Sequence, residues 1–258
     1  MKGKIAILLA TYVLNEIVIN RLKGMNGSSR YDFYILYHTQ EENALIPEEY
    51  VNFIFPFTDK VLRNMGYTPL TKNILPGSNH FGLLSFFKQF SNYSYYWYIE
   101  DDVYYNGSWE SFFQYFEDNK IEVSFISSYV KDFCEEPLWT WWSAIEYRGA
   151  NILNTIKSKS FNPIYRISND ALYLLNKKLT QGWMGHHEVV IPTLLKRNGM
   201  QIRDFGGTGK YILSGCKNKF YKRDDHNLMN NTMRYRPEIK PEELKEKLLY
   251  HPFKIYRR

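Results

Sequence analysis

Three consecutive carboxylates, Glu100, Asp101 and Asp102, end the aromatic run YYWYIEDDV (95–103). If this run is a β-strand, successive side chains point to opposite faces, so Glu100 and Asp102 share one side and Asp101 points to the other. Two converging carboxylates repel each other unless they share a proton or a cation. Oxygen ligands of this kind suit Mg²⁺ or Mn²⁺, and either ion would bind a phosphate. The triplet therefore indicates a metal site, or else a polar turn that leaves a strand.

Strand-like and helix-like segments alternate in the half of the chain that contains the triplet. The strand-like segments are apolar runs rich in aromatic and β-branched residues: KIAILLATY (4–12), YDFYILYHT (31–39), NFIFPF (52–57), YYWYIEDDV (95–103) and EVSFISSYV (122–130). The helix-like segments are LNEIVINRLKGM (14–25), FGLLSFFKQFSN (81–92) and SWESFFQYFEDN (108–119), the last with Ser108 as its N-cap. This alternation predicts an α/β sheet that is covered on both faces and binds ligands beyond the carboxyl ends of its strands, where the triplet lies.

The second half of the chain is less regular. Helical spacing predicts helices over SNDALYLLNKKLTQ (168–181) and HHEVVIPTLLKRNG (186–199), and MQIRDF (200–205) resembles a strand. A Gly-, Lys- and Asn-rich stretch (206–238) predicts a long loop region. The segment KPEELKEKLLY (240–250) predicts a final helix, because Pro241 stands at its first position and acids fill its first turn. No linker divides the chain, so we expect a single domain.

The composition limits the class of protein. With 258 residues, 44% of them hydrophobic, the chain can bury a substantial core. Cys134 and Cys216 have no metal-ligand spacing, which argues against a zinc site and favours a reducing compartment. The apolar run IAILLATYVL (5–14) is too short to span a bilayer and predicts a buried strand. The net charge of +6 favours anionic partners such as nucleotides, nucleic acid or acidic lipid headgroups.

Four motifs, in this order along the chain, resemble those of GT-A-type glycosyltransferases. IEDDV (99–103) is similar to the metal-binding acidic D-x-D motif of that family, although it reads Glu-Asp-Asp. The other three are IYRISNDALYLL (164–175), similar to the acceptor-side loop and helix, GWMGHHEVVIPTLLKRNG (182–199), similar to the segment with a carboxylate beneath the acceptor, and LLYHPFK (248–254), similar to the segment with a metal-binding histidine. The resemblance covers about residues 4–254.

The resemblance implies a GT-A mixed sheet flanked by helices and a metal-dependent glycosyl transfer. The donor would be a nucleotide-sugar, most often UDP-linked in that family, and the acceptor a hydroxyl of a glycan or a lipid-linked saccharide. By analogy, Asp102 and His251 would hold Mn²⁺ or Mg²⁺. Lys254 would add a positive charge at the phosphates. If the reaction inverts configuration, Glu188 is the candidate general base and Asp170 the second choice; if it retains configuration, neither need be a base.

The same resemblance implies a division of the domain. Residues 1–105 would form the nucleotide-sugar-binding half, and residues 106–258 the acceptor-side half with the C-terminal metal and phosphate segment. Thr11 and Tyr12, just after the first strand, lie where this fold receives the nucleotide, and Glu100 and Asp101 would join Asp102 in binding the donor.

Several of these features have a second, structural interpretation. An acid such as Glu188 is also favoured in the first turn of a helix, without any catalytic role. The adjacent His186 and His187 are expected to be structural. The tryptophans of LWTWW (138–142) could form a wall that stacks on a sugar, or could belong to the core.

The glycine-rich and basic segments also have two interpretations each. GGTGKY (206–211) departs from a Walker loop because Tyr211 replaces the Ser or Thr that reaches Mg²⁺, which leaves a loop closing over a donor or a plain turn. KNKFYKRDDH (217–226) and the terminal KIYRR (254–258) suit a nucleic-acid backbone or an anionic membrane, or are simply solvated faces.

Two other functions stay open. A nucleotidyltransferase that makes sugar nucleotides shares the sheet and the carboxylates, but LATYVLNEI (9–17) lacks the glycine- and basic-rich loop expected after its first strand. A non-catalytic carbohydrate- or nucleic-acid-binding protein would fit the net charge and the 22 tyrosines. For the glycosyltransferase we expect a cytoplasmic location, peripheral contact with the anionic inner membrane face as an open alternative, and no stable nucleic-acid partner.

Overall fold

The computed structural model describes residues 3–25, 29–42 and 44–254. Within these residues the strands are β1 (Ile5–Thr11), β2 (Tyr31–His38), β3 (Ile54–Phe57), β4 (Tyr95–Glu100), β5 (Tyr104–Tyr105), β6 (Phe125–Asp132), β7 (Ile145–Tyr147), β8 (Ala150–Asn151), β9 (Ser158–Ser168), β10 (Trp183–Gly185), β11 (Ile202–Asp204) and β12 (Leu249–Tyr250). The α-helices are α1 (Glu16–Met25), α2 (Asp59–Arg63), α3 (His80–Gln89), α4 (Trp109–Asp118), α5 (Asn169–Thr180) and α6 (His187–Arg197). Single 3₁₀ turns cover Glu48–Tyr50, Phe133–Glu135, Thr140–Ser143, Asn154–Ile156, Leu228–Asn230 and Pro241–Glu243.

A seven-stranded mixed sheet with the order β11-β6-β9-β4-β1-β2-β3 forms the centre of the fold. The pairs β3-β2, β2-β1, β1-β4 and β6-β11 are parallel, whereas β9 is antiparallel to both of its neighbours, β4 and β6. The carboxyl ends of β1, β2 and β4 therefore lie at the same end of the sheet, and β9 begins at that end. This confirms the predicted fold class, an α/β mixed sheet flanked by helices.

Alternate residues of β1 pack into two cores on opposite faces of the sheet. Ile5, Ile7 and Leu9 are buried in the cluster that contains α1 and α4, while Ala6 and Leu8 are buried in the cluster that contains α3, α5 and α6. A strand that is buried on both faces needs apolar residues at every position, which explains the continuous apolar run in the sequence.

Two helices have serine N-caps, of which Ser108 is predicted by the sequence and Ser168 is not. Ser108 Oγ accepts a hydrogen bond from the Ser111 N–H at 3.3 Å at the start of α4, and Ser168 Oγ accepts one from the Ala171 N–H at 3.2 Å at the start of α5. Each cap satisfies one of the backbone donors that the first turn of a helix leaves unpaired. Strand β9 was not predicted, and the stretch 164–168 lies inside it rather than in a loop.

The prediction of a final helix over residues 240–250 is wrong. Only the 3₁₀ turn Pro241–Glu243 forms there, and β12 pairs antiparallel with β5, with Leu249 opposite Tyr105 and Tyr250 opposite Tyr104. The consecutive residues Leu248, Leu249 and Tyr250 are all buried. Burial of three successive side chains suits an enclosed strand, so tertiary pairing overrides the local helical signals.

Within the described residues, no helix has both the length and the apolarity that crossing a bilayer requires.

Candidate functional site

Glu100, Asp102 and His251 form a cluster at the carboxyl end of β4. One ligand atom from each of the three lies within 4.8 Å of the others. His251 Nε2 lies 3.3 Å from Asp102 Oδ1 and 3.8 Å from Glu100 Oε2. Glu100 is the last residue of β4, and Asp102 lies on the turn that follows it. These two carboxylates lie together, as the sequence predicts, but Asp102 lies on the turn and not on the strand that was expected to place it.

The C-terminal segment delivers His251 to the acids through backbone pairing. Strand β12 ends immediately before His251, and two residues beyond it the Phe253 N–H donates to the Asp102 carbonyl at 2.8 Å. On its other side the His251 N–H donates to the Thr232 carbonyl at 3.0 Å. Backbone hydrogen bonds thus hold the chain at His251 and just beyond it, one of them to the backbone of Asp102 itself.

The orientation of the His251 ring is set by a second partner. His251 Nδ1 lies 2.8 Å from the Arg234 carbonyl oxygen, which can only accept a hydrogen bond. Nδ1 therefore carries the hydrogen, and Nε2 faces the carboxylates, the arrangement found where a histidine binds a metal. Burial disfavours the charged ring, but Asp102 and Glu100 outweigh burial and raise the pKa of His251.

The two carboxylates of the cluster have pKa values that are moved apart. Burial, and then repulsion from Asp102, raises the pKa of Glu100 to about 7, although Asn79 Nδ2 donates to Glu100 Oε1 at 3.0 Å and opposes the rise. Burial acts on Asp102 in the same direction, but hydrogen bonds from His251 and Lys254 outweigh it and hold the pKa of Asp102 well below its usual range. Lys254 Nζ donates to Asp102 Oδ2.

These three side chains fit a divalent cation. Two carboxylates and one imidazole with its Nε2 facing inward are a common donor set for such ions. A bound cation would also neutralise the repulsion between the two neighbouring carboxylates. Asn79 orients Glu100 and the Arg234 carbonyl orients His251, each through a hydrogen bond to the candidate ligand.

Asp101 points away from the cluster, as the alternation predicts. Thr11 Oγ1, at the end of β1, donates to Asp101 Oδ2 at 2.5 Å, and the Arg21 guanidinium donates to the Asp101 backbone carbonyl. The Asp101 N–H donates to the Ala10 carbonyl at 3.0 Å, which fastens the turn to β1. The structure therefore gives Asp101 a part in holding the turn, while its role in donor binding stays a prediction.

A cleft with two lobes opens on either side of the cluster. The first lobe has a volume of about 410 Å³ and its lining includes Thr11, Tyr12 and Asp101. The second lobe has a volume of about 470 Å³ and its lining includes Glu188. The wall common to both lobes consists of Pro76, Asn79, Glu100, Asp102 and Lys254. The cluster thus lies where two ligands, one in each lobe, would meet.

Glu188 lies near the N-terminus of α6, inside the second lobe. His186 is the N-cap of this helix: its Nδ1 accepts a hydrogen bond from the Glu188 N–H at 3.3 Å. Burial is the main cause that raises the pKa of Glu188 to about 8, even though the Asn162 N–H lies 3.5 Å from Glu188 Oε1. Burial thus disfavours the ionised carboxylate, which is the form that a helix N-terminus stabilises.

Asp170 is not part of the cleft, which contradicts its assignment as the second candidate base. It lies in the first turn of α5, directly after β9, and Ser168 pairs with Tyr95 at the start of β4. The acidic cluster lies at the other end of β4, about 17 Å away at about 3.3 Å per strand residue. The antiparallel direction of β9, which the sequence did not reveal, causes this separation.

The aromatic and histidine residues near the cleft divide into core and lining. Trp142 is buried and Trp139 packs against the core, whereas Trp141 is 41% exposed and lines the second lobe. The Trp141 ring stacks on the His186 ring, with 4.9 Å between the ring centroids and 10° between the ring planes. Burial lowers the pKa of His186 to about 4 and that of His187 well below its usual value, so both rings are neutral at pH 7.

The glycine-rich segment 206–211 is a packed turn rather than a loop over the cleft. A Cβ atom at Gly206 would lie 2.5 Å from the Tyr221 ring and one at Gly207 2.5 Å from the Tyr221 hydroxyl, and Gly207 has φ +62°. Lys210 Nζ and Tyr211 Oη both donate to Asp132, at 2.7 and 2.8 Å. These contacts explain the glycines without a ligand. In the terminal segment KIYRR, residues 255–258 lie outside the described residues.

Three residues of the site were missed by the sequence analysis. Asn79 fixes Glu100, and Tyr235 and Arg236 line the second lobe. Asn79 precedes α3 at a position where a cap is common, and Tyr235 and Arg236 lie in a loop rich in basic residues. No motif distinguishes them, and backbone pairing of the loop region with His251 is what brings Tyr235 and Arg236 to the cleft.

Comparisons with known proteins do not identify a family for this chain. No protein-family model and no curated protein matches the chain. Among solved structures, mouse xyloside xylosyltransferase 1 in its apo form is similar to the chain with a TM-score of 0.36 and 7% sequence identity, and the match covers 82% of this chain and 89% of that one. A likeness at this level says nothing about activity.

Proposed function

We propose that this chain is a metal-dependent glycosyltransferase of the GT-A type. It transfers a sugar from a nucleotide-sugar donor, UDP-linked, to a hydroxyl of a glycan or a lipid-linked saccharide. The reaction would take place in the cytoplasm. A lipid-linked acceptor would be bound at the inner face of the membrane.

One observation supports the proposal above the others: Glu100 and Asp102, which form a cluster with His251, line both lobes of one cleft. A group transfer needs two substrates that meet at one point, together with stabilisation of the leaving group at that point. The first lobe opens beside β1, where nucleotides bind in α/β sheets of this kind, so we assign it to the donor. The second lobe, which contains Glu188, then receives the acceptor.

Glu100, Asp102 and His251 would hold the cation, and Mn²⁺ suits a mixed set of oxygen and nitrogen ligands better than Mg²⁺ does. Bound there, the ion would supply Lewis-acid stabilisation for the diphosphate leaving group. Lys254 is bonded to Asp102 and lines both lobes, so its ammonium group can contact the same phosphates. Thr11 and Tyr12 line the donor lobe at the end of β1 and can contact the nucleoside.

Glu188 is the proposed general base. It lies in the acceptor lobe, and its pKa of about 8 is close to the pH at which the protein would work. A base with a pKa near the working pH combines a useful deprotonated fraction with a strong affinity for the proton. This role requires that the reaction inverts the configuration of the transferred sugar.

Calorimetric titration of UDP, with and without Mn²⁺, tests the proposal. We expect UDP to bind the wild-type protein in the presence of Mn²⁺ and to bind far more weakly without it. Asp102→Asn should abolish the difference, because it removes the ligand that carries charge at neutral pH. The matched control is Asp118→Asn, which changes an exposed carboxylate at the end of α4 and should bind UDP like the wild type. Metal-independent UDP binding, unchanged in Asp102→Asn, would remove the basis of the proposal.

A sugar-nucleotide nucleotidyltransferase is the second candidate, since it would use the same carboxylates. No observation favours it, because the connection from β1 to α1 is the short segment 12–15, which has neither glycine nor a basic residue. Release of pyrophosphate from UTP and a sugar 1-phosphate would support this alternative, and hydrolysis of UDP-sugars without pyrophosphate release would support the transferase.

A further inference from the structure

Two arginines, Arg234 and Arg236, are separated by one residue near the second lobe and have opposite environments. Arg234 is buried, and its guanidinium bonds the Pro237 carbonyl at 2.9 Å and Glu243 Oε1 at 3.2 Å. Arg236 is exposed, lines the second lobe, and lies over the Tyr235 ring with 5.7 Å between the guanidinium carbon and the ring centroid. Within the described residues, no carboxylate pairs with Arg236. Arg234 therefore holds the loop together, whereas the charge of Arg236 faces the lobe.

The other ionisable groups that line this lobe do not balance Arg236. His186 and His187 are neutral at pH 7, and Lys254 is bonded to Asp102 in the common wall. Glu188, with a pKa of about 8, is also largely protonated at pH 7. The remaining carboxylates of the lining belong to the acidic cluster, where Asp102 is already paired with Lys254 and His251. Arg236 therefore has no carboxylate partner among the described lining residues.

The lobe also presents aromatic surface to solvent. One face of the Trp141 ring is covered by His186, and Trp141 is still 41% exposed. Tyr235 is 72% exposed. Large aromatic side chains that stay exposed in a concave site usually mark a binding surface, and flat rings pack against the C–H face of a sugar.

We propose that the second lobe binds an acceptor saccharide that carries an anionic group, either a carboxylate or a phosphate. A sugar ring of this acceptor packs on Trp141, and its anionic group pairs with Arg236. A guanidinium presents a planar fork of donors that matches a carboxylate or a phosphate with two parallel hydrogen bonds. This inference rests on the proposed function, because it takes the second lobe as the acceptor side.

The donor phosphates are the other anions that Arg236 could contact. Arg236 lines only the second lobe, whereas Asp102 and Lys254 line both. A diphosphate bound at the common wall is thus already next to Lys254, and Arg236 is left for a charge on the second substrate.

The test compares three sugars as probes, titrated by ligand-observed NMR into the protein loaded with Mn²⁺ and UDP: glucose, glucuronate and glucose 6-phosphate. We expect at least one of the two anionic sugars to bind about tenfold or more tightly than glucose, as charge-assisted hydrogen bonds imply. The carboxylate and phosphate probes identify which anion the lobe prefers. In Arg236→Ala this preference should disappear while glucose binding stays unchanged, and Trp141→Ala should weaken all three.

Arg197→Ala is the matched control, since Arg197 is also exposed and also lies over an aromatic ring, that of Trp183, but lines neither lobe. It should retain the anion preference. Equal binding of the neutral and anionic sugars by the wild type would overturn the inference and leave the proposed function intact, since metal-dependent UDP binding is measured separately. A loss of UDP affinity in Arg236→Ala, with saccharide binding unchanged, would also overturn it and assign Arg236 to the donor.

Discussion

His251 Nε2 lies 3.3 Å from Asp102 Oδ1, although the two residues come from opposite halves of the chain. The contact depends on two short strands, β5 and β12, which pair directly beside the two residues. A cluster assembled in this way couples a C-terminal segment to the central sheet, and a metal bound there would strengthen that coupling, because a ligand that binds only the folded state stabilises it.

The first prediction concerns the orientation of Glu100. Asn79→Ala removes the hydrogen bond to Glu100 Oε1, and we expect the affinity for Mn²⁺ to fall about 10- to 100-fold, the usual cost of losing a partner behind a metal ligand. Titration of Mn²⁺ followed by electron paramagnetic resonance measures it. Asn119→Ala, which removes an exposed asparagine after α4, is the control. Equal affinities in the two variants would mean that Asn79 does not position a ligand.

The second prediction concerns the pairing that carries His251. Leu249 is fully buried in β12, so Leu249→Ala should lower the free energy of unfolding by about 2–5 kcal/mol, as expected for a core leucine. Mn²⁺ affinity should also fall, because β12 positions His251. Val190→Ala, at a fully buried site in α6, controls for general loss of stability. If both variants lose the same Mn²⁺ affinity at matched stability, β12 has no special part in the site.

The third prediction concerns Glu188 and pH. A general base acts when it is deprotonated, so kcat/KM for glycosyl transfer should rise with pH and level off above a pKa near 8. Glu188→Gln should remove this rise and lower kcat by about 10²- to 10⁴-fold. Far-UV circular dichroism checks that the variant is folded. A pH profile that is the same in Glu188→Gln and wild type would exclude Glu188 as the base.

The fourth prediction concerns Asp132, which joins several elements. It accepts hydrogen bonds from Ser158, Lys196, Lys210 and Tyr211, and these hold its pKa well below the usual value of 3.8 even though burial opposes them. The lysines are about half exposed, so after discounting for solvent screening we expect Asp132→Ala to cost about 1–2 kcal/mol at pH 7.

The dependence on pH distinguishes this charge from simple packing. A carboxyl with a lowered folded-state pKa stabilises the fold above its unfolded-state pKa, and this contribution is lost as the pH falls through the folded-state value. The difference in urea unfolding between wild type and Asp132→Ala should therefore shrink below about pH 4. A constant difference from pH 7 to pH 3 would show that the charge of Asp132 does not contribute.

The fifth prediction has the opposite sign and concerns Asp204. Burial raises its pKa to about 7, more than offsetting the N–H groups of Val130 and Gly206 that donate to it. A carboxyl with a raised folded-state pKa stabilises the fold below its unfolded-state pKa, and this contribution is lost as pH rises through the folded-state value. We expect the contribution of Asp204 to the unfolding free energy to fall by on the order of 1–4 kcal/mol between pH 4 and pH 8. Asp204→Asn should reduce this slope, and an unchanged slope would contradict the assignment.

Much of the fold and part of the site could be predicted from the sequence. The apolar run of β1, the helical spacing of α3 and α4, and the cap at Ser108 are local signals, each written in a few adjacent residues. The sides that the acids of the triplet take could also be predicted, although Asp101 and Asp102 lie on the turn that follows β4 and not on the strand itself.

Only the tertiary structure decided which distant residues join them. Because β9 is antiparallel to β4, Asp170 lies at the end of the sheet opposite the acidic cluster. The pairing of β12 with β5 replaces a predicted helix and positions His251. Asn79 and Arg236 reach the cleft without any motif. Local conformation depends on neighbours in sequence. Strand direction and pairing depend on which distant segments bury each other, and this is decided by the packing of the whole core.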